Sequence, residues 1–98
     1  MYMIPKSVVV SRKKYFINTG KPQRFKRAYG YIDYTPGEIY LHTTAREQRV
    51  SPKKMQETFW HELTHAILYE MDHPLYRNEK FVTRFSKLLN QAINTAKL

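Results

Sequence analysis

Two histidines four residues apart, with a glutamate directly after the first, are the side chains of this sequence best suited to chemistry. They are His61, Glu62 and His65, in the segment 58–68, TFWHELTHAIL. On a helix, residues i and i+4 lie on one face, about 6 Å apart along the axis, so both imidazoles can reach one metal ion. A zinc ion held in this way lowers the pKa of its water to about 7, and the neighbouring carboxylate can accept the proton. The pattern therefore predicts a zinc-dependent hydrolase with Glu62 as general base.

Local signals place this pattern inside a helix that we predict over residues 51–73. Ser51 is a good N-cap, Pro52 is a favourable first helical residue, and Pro74 stops the helix. The side opposite the histidines is apolar, and its members are Met55, Phe59, Leu63, Ala66 and Ile67. The helix can therefore pack on a core with one side while its histidines face a metal site.

A catalytic zinc needs a third protein ligand, and the nearby candidates fail. Asp72 lies about 10 Å beyond His65 along the helix, and Glu70 points to another side. The metzincin pattern requires histidine where this chain has Met71, and the sequence contains no cysteine. What remains downstream is Glu79.

Glu79 opens a second amphipathic helix, which we predict over residues 78–96. Asn78 is a suitable N-cap, and apolar residues follow at helical spacing: Phe81, Val82, Phe85, Leu88, Leu89, Ala92 and Ile93. The short turn between the helices favours antiparallel packing, which can return Glu79 to the metal. The alternative is an ordinary first-turn acid that complements the helix dipole.

At this point the chain resembles the small zincin-like metallopeptidases of phages and mobile elements, similar to the ImmA/IrrE type of gluzincin. In that family an HExxHA helix is followed by a helix of the form Glu-x-x-Ala-Asn-x-Phe-Ala-x-x-Leu-Leu. Here Glu79, Phe85, Leu88 and Leu89 match, Val82 and Ser86 are mild changes, and Thr83 replaces the asparagine. The resemblance implies that Glu79 is the third zinc ligand of a gluzincin-like zinc metalloendopeptidase.

The first part of the chain, residues 1–43, has the alternation and turn residues typical of strands. Residues 8–10 and 15–17 are β-prone, and residues 25–34 and 38–43 flank a Thr-Pro-Gly turn that predicts a hairpin. We expect an α+β fold, a minimal zincin-like domain in which a small, antiparallel-rich sheet precedes two packed helices. By resemblance, 38–43 is the exposed edge strand that receives the substrate.

The hairpin pattern also predicts which side chains face the core. Ile32 and Tyr34 should share the core face with Ile39 and Leu41, opposite a second face formed by Tyr31, Asp33, Tyr40 and His42. A peptidase needs a group that stabilises the oxyanion, and four residues are candidates without a basis for choice: His73, Tyr76, His42 and Tyr40.

Length and charge restrict the remaining possibilities. The 98 residues suit one domain, 1–98, and the formal charge is +9. Residues 1–30 carry eight basic side chains and no acidic one, which could bind nucleic acid, as in SprT-like proteases, or simply be solvated. We expect a cytoplasmic protein without a membrane anchor, because no signal-like or membrane-spanning apolar run is present; the oligomeric state stays open.

Two functions follow from these features. The first is a zinc-dependent metallopeptidase that cleaves a protein or peptide substrate. The rival is a DNA- or repressor-binding regulatory protein in which the zinc site is structural or catalytically silent.

Overall fold

A computed structural model describes residues 4–97, so the ends of the predicted domain, residues 1–3 and residue 98, lie outside the described residues. The elements are β1 (Ser7–Val10), β2 (Lys13–Gly20), β3 (Gly30–Asp33), β4 (Glu38–His42), β5 (Thr44–Ala45), β6 (Gln48–Arg49), α1 (Pro52–Glu70), a 3-10 turn (Pro74–Arg77) and α2 (Glu79–Thr95). The fold is compact and α+β, with a small mixed sheet followed by two helices, which confirms the predicted class at this level. Within residues 4–97, no helix is long and apolar enough to cross a membrane.

The main sheet has the strand order β1-β2-β4-β3. The outer pairs are antiparallel, whereas β2 and β4 run parallel. The predicted hairpin is confirmed, with Ile32 opposite Ile39 and with Gly37 in a left-handed turn conformation (φ 76°) that suits glycine. The expectation that 38–43 is an edge strand is wrong, because β4 is paired on both sides; the edge beside α1 is β3.

The hydrophobic core lies between this sheet and α1. Ile39 and Leu41 of β4 and Tyr15 of β2 are fully buried, and they cluster with Phe59 and Ala66 of α1. Ile32 packs against the cluster, as predicted. Tyr34 does not belong to this cluster: it lies in the turn after β3 and stacks on Tyr69 of α1, with ring centroids 4.2 Å apart. The sheet thus fixes one side of α1 and leaves the histidine side free.

The helix boundaries follow the capping residues. The Ser51 hydroxyl accepts a hydrogen bond from the Lys54 amide (3.1 Å), and the Asn78 side chain accepts one from the Phe81 amide (2.9 Å), as expected for N-caps. α1 ends at Glu70, three residues before the predicted end. The reason is local, because Asp72 is left-handed (φ 55°) and His73 caps the 3-10 turn instead of continuing the helix.

α2 returns along α1 in the opposite direction. Its start lies against the middle of α1, where Glu79 contacts His61, and further along it Lys87 lines the same groove as Lys54 near the start of α1. The buried residues of α2 are the small or polar Ser86 and Asn90 together with Val82. This arrangement positions Glu79 over the histidine face of α1.

Candidate metal centre

Three potential metal ligands converge where the start of α2 crosses α1. The Nε2 atoms of His61 and His65 lie 3.1 Å and 2.6 Å from the two carboxylate oxygens of Glu79. One ligand atom from each residue can be chosen so that all three lie within 4.8 Å of one another. Two imidazoles and one carboxylate are a donor set that zinc accepts in catalytic sites. The Glu79 side chain is 68% exposed, so its carboxylate can adjust to an ion without disturbing the core.

The orientation of His65 is fixed by a backbone group. Its Nδ1 lies 2.7 Å from the carbonyl oxygen of Tyr76, in the 3-10 turn between the helices. A carbonyl can only accept, so Nδ1 is the donor in this contact, and Nε2 is the nitrogen that faces Glu79 and could bind a metal. Such outer hydrogen bonds hold the ligands of metal sites. A backbone carbonyl has no signature in the sequence, and this contact could not be predicted.

Glu62 lies on α1 beside the cluster and is buried. Burial raises the pKa of this carboxyl to about 8, and the charge of Glu79 adds to the effect. Burial also lowers the pKa of the His61 imidazole and outweighs the opposite effect of Glu79. The histidine is therefore neutral near pH 7, as a ligand must be, and Glu62 is a stronger proton acceptor than an ordinary carboxylate.

A cavity of about 480 Å³ opens over the three ligands and Glu62, between α1 and the edge strand β3. Beside it lies a cluster of three tyrosines, Tyr34, Tyr69 and Tyr76, which we call the aromatic flank. Tyr76 packs edge-on against both Tyr34 and Tyr69, with ring centroids 5.8 Å and 5.4 Å away. Tyr34 and Tyr76 line the cavity itself. The flank joins the hairpin, α1 and the 3-10 turn at the candidate site.

Tyr34 is a candidate functional residue that the sequence did not reveal. Desolvation, followed by the nearby charge of Glu62, raises the pKa of its phenol to about 12. The hydroxyl therefore keeps its proton at neutral pH and can donate a hydrogen bond into the cavity. Because the strand pattern assigned Tyr34 to the core face, its role as a hydrogen-bond donor in the cavity was not predicted.

The four predicted oxyanion candidates divide into one that reaches the cavity and three that do not. Tyr76 lines the cavity. His42 is buried beside the Ala28 carbonyl, Tyr40 donates to Glu38 on the same strand, and His73 accepts from the Leu75 amide. The alternation of β4 directs His42 and Tyr40 away from the cavity, and His73 serves as the N-cap of the 3-10 turn. The excluded ligand Glu70 accepts a hydrogen bond from the Tyr15 hydroxyl at 2.6 Å.

A second groove, also of about 480 Å³, meets the cavity beside the candidate ligands. His61, Glu62 and Glu79 line both the groove and the cavity. Four basic side chains line this groove, Arg27, Arg46, Lys54 and Lys87, and we call them the cationic flank. The candidate metal centre thus lies between an aromatic flank and a cationic flank. Gly30 of β3 lines both the cavity and the groove.

Comparison with known proteins finds no relative: no protein-family model matches this chain, and neither a curated protein nor a solved structure gives a significant match.

Proposed function

We propose that this protein is a zinc-dependent metallopeptidase of the gluzincin type. The observation that carries the proposal is the convergence of His61, His65 and Glu79 beside the buried Glu62, in a cavity that opens along a sheet edge. Neither the donor set nor the carboxylate alone indicates hydrolysis. Their combination in one cavity is the arrangement that zinc-dependent peptide hydrolysis uses.

Each side chain has a role that its surroundings support. His61, His65 and Glu79 would hold the ion, and bound zinc supplies an acidified water and a Lewis acid for the scissile carbonyl. Glu62 accepts the proton as general base and returns it to the leaving nitrogen as general acid. Burial raises the pKa of its carboxyl to about 8, which favours the protonated form that acts as general acid. Tyr34 and Tyr76 line the cavity and are candidate donors for the developing oxyanion, as is the guanidinium of Arg77.

The edge strand β3 supplies a place for an extended substrate. Its residues Gly30, Tyr31 and Ile32 line the cavity, and among residues 4–97 β3 has a paired strand on one side only. An added strand can therefore hydrogen-bond to its free edge, which would hold a peptide across the ligands. This role replaces the one expected for 38–43.

The test is the substitution Glu62→Gln, assayed with fluorescently labelled casein. We expect one zinc per chain in both proteins after purification without chelators, and a loss of cleavage of about 10²–10⁴-fold in the variant. Glu47→Gln is the matched control, because Glu47 is an exposed turn residue outside both cavities. Zinc binding by both proteins without cleavage by either would instead support the rival, a DNA- or repressor-binding protein with a silent zinc site.

A further inference from the structure

We propose that the cationic flank is a specificity site for acidic side chains of the peptide substrate, on one side of the bond that is cleaved. This inference rests on the proposed peptidase function and adds the chemical class of its substrate. It predicts that the protein prefers sequences in which aspartate or glutamate occupies the positions that enter the groove of Arg27, Arg46, Lys54 and Lys87.

The basic side chains of the groove are largely free to bind a ligand. Among residues 4–97, Lys54 has a carboxylate neighbour, Glu57, at 3.7 Å, whereas Arg27, Arg46 and Lys87 have no carboxylate oxygen within 4.0 Å. These three are exposed. A substrate carboxylate would therefore gain new charge-assisted hydrogen bonds without first breaking internal ion pairs.

The local backbone holds Arg46 in a defined position. Arg46 and Glu47 form the two-residue loop of the β5–β6 hairpin, and both are left-handed, with φ of 53° and 67°. Such loops favour glycine and asparagine, so an arginine here is strained. The Arg46 amide donates to the Lys26 carbonyl at 3.1 Å, which ties the hairpin to the segment that carries Arg27. Two basic residues far apart in sequence are thereby fixed on the same side of the groove.

The groove favours an acidic peptide over a nucleic acid. Three carboxyl groups, those of Glu57, Glu62 and Glu79, also line it, and a phosphate backbone with a charge at every nucleotide would meet them. The Lys54 ammonium lies over the ring of Tyr29, 4.6 Å from its centroid, so one face of this ring is already occupied. Glu62, beside which a peptide bond must lie for hydrolysis, also lines the groove. Separate side-chain carboxylates fit this distribution of charge.

The test compares pairs of fluorogenic peptides that differ only in having Glu or Gln at three positions, placed before the scissile bond in one pair and after it in the other. We expect kcat/KM to be about tenfold or more higher for Glu in one pair, the effect of one or more charged hydrogen bonds. Arg46→Asn should reduce this preference, because asparagine removes the charge yet tolerates the left-handed turn. Lys53→Gln, next to Lys54 but outside the groove, should leave it unchanged.

The outcomes separate the two proposals. Equal cleavage of the Glu and Gln peptides in both pairs would overturn the acidic specificity and leave the peptidase function intact. If neither peptide is cleaved, the peptidase function fails, and fluorescence anisotropy then tests whether the groove binds acidic side chains. Equal affinity for the Glu and Gln peptides would reject acid recognition. Tighter binding of the Glu peptide, abolished by Arg46→Asn, would support it. Stronger binding of a ten-nucleotide thymidine oligomer, with displacement of the Glu peptide, would overturn the proposal in favour of a nucleic acid.

Discussion

The two flanks of the candidate metal centre are built in opposite ways. The aromatic flank is packed on itself: the rings of Tyr34, Tyr69 and Tyr76 contact one another, and the Tyr76 carbonyl holds His65. In the cationic flank, three of four charged groups have no carboxylate partner among residues 4–97. Packed rings hold geometry, whereas charges without an internal partner are available for a ligand. We therefore expect the aromatic flank to govern the rate of the reaction and the cationic flank to govern the choice of substrate.

The largest effect that separates the flanks is expected from Tyr34→Phe. Loss of the hydroxyl removes a donor from the cavity, and the removal of one oxyanion donor lowers kcat by about 10²–10³-fold. The preference for Glu over Gln peptides should stay the same. Tyr69→Phe is the control, since Tyr69 stacks on Tyr34 but does not line the cavity. Steady-state kinetics measure both variants, and an unchanged kcat for Tyr34→Phe would show that the Tyr34 hydroxyl takes no part in the chemistry.

A smaller effect, on thermal stability, is expected from a substitution at Gly30, where the two flanks meet. A methyl group on Gly30 would lie 2.4 Å from the Tyr40 carbonyl oxygen and 2.8 Å from the Thr58 methyl carbon. Gly30→Ala must therefore push β3 away from its neighbours, and overpacking of this kind costs about 1–3 kcal/mol. Thermal unfolding should detect the loss.

Gly20→Ala is the matched control for that substitution, because, apart from its two chain neighbours, no described residue has an atom within 4 Å of the added methyl group. It should unfold close to the native temperature. If Gly30→Ala and Gly20→Ala melt together, β3 is not held as closely against β4 and α1 as the structure indicates.

The smallest effect is expected from salt. Raising NaCl from 50 to 500 mM shortens the Debye length to about 4 Å, so the preference for Glu over Gln peptides should fall a few-fold. Cleavage of the Gln peptide depends on the buried Glu62 and the aromatic flank, which salt screens less, so it should change little. A Glu preference that is insensitive to salt would mean that exposed charges do not produce it.

Local sequence signals predicted much of this fold. Ser51, Pro52 and Asn78 marked the helix starts, and the Pro-Gly turn marked the β3–β4 hairpin. These features depend on a few neighbouring residues. The parallel pairing of β2 with β4 joins segments about twenty residues apart, and no periodicity encodes it. That pairing made β3 the edge strand in place of 38–43.

The candidate site was predictable only in part, for the same reason. The spacing of His61 and His65 is a local property of a helix, and the structure brings Glu79 to them across the turn. Tyr34 and the Tyr76 carbonyl reach the site through tertiary packing. The cationic flank collects Arg27, Arg46, Lys54 and Lys87 from four separate segments, so net charge alone could not locate it.

The central claim is that His61, His65 and Glu79 hold one zinc ion, and a crystal structure of the zinc-loaded protein with anomalous scattering data tests it most directly. We expect a single zinc with both Nε2 atoms and a Glu79 carboxylate oxygen at about 2.0–2.2 Å. An ion bound elsewhere, or a Glu79 oxygen farther than about 2.5 Å from the zinc, would contradict it.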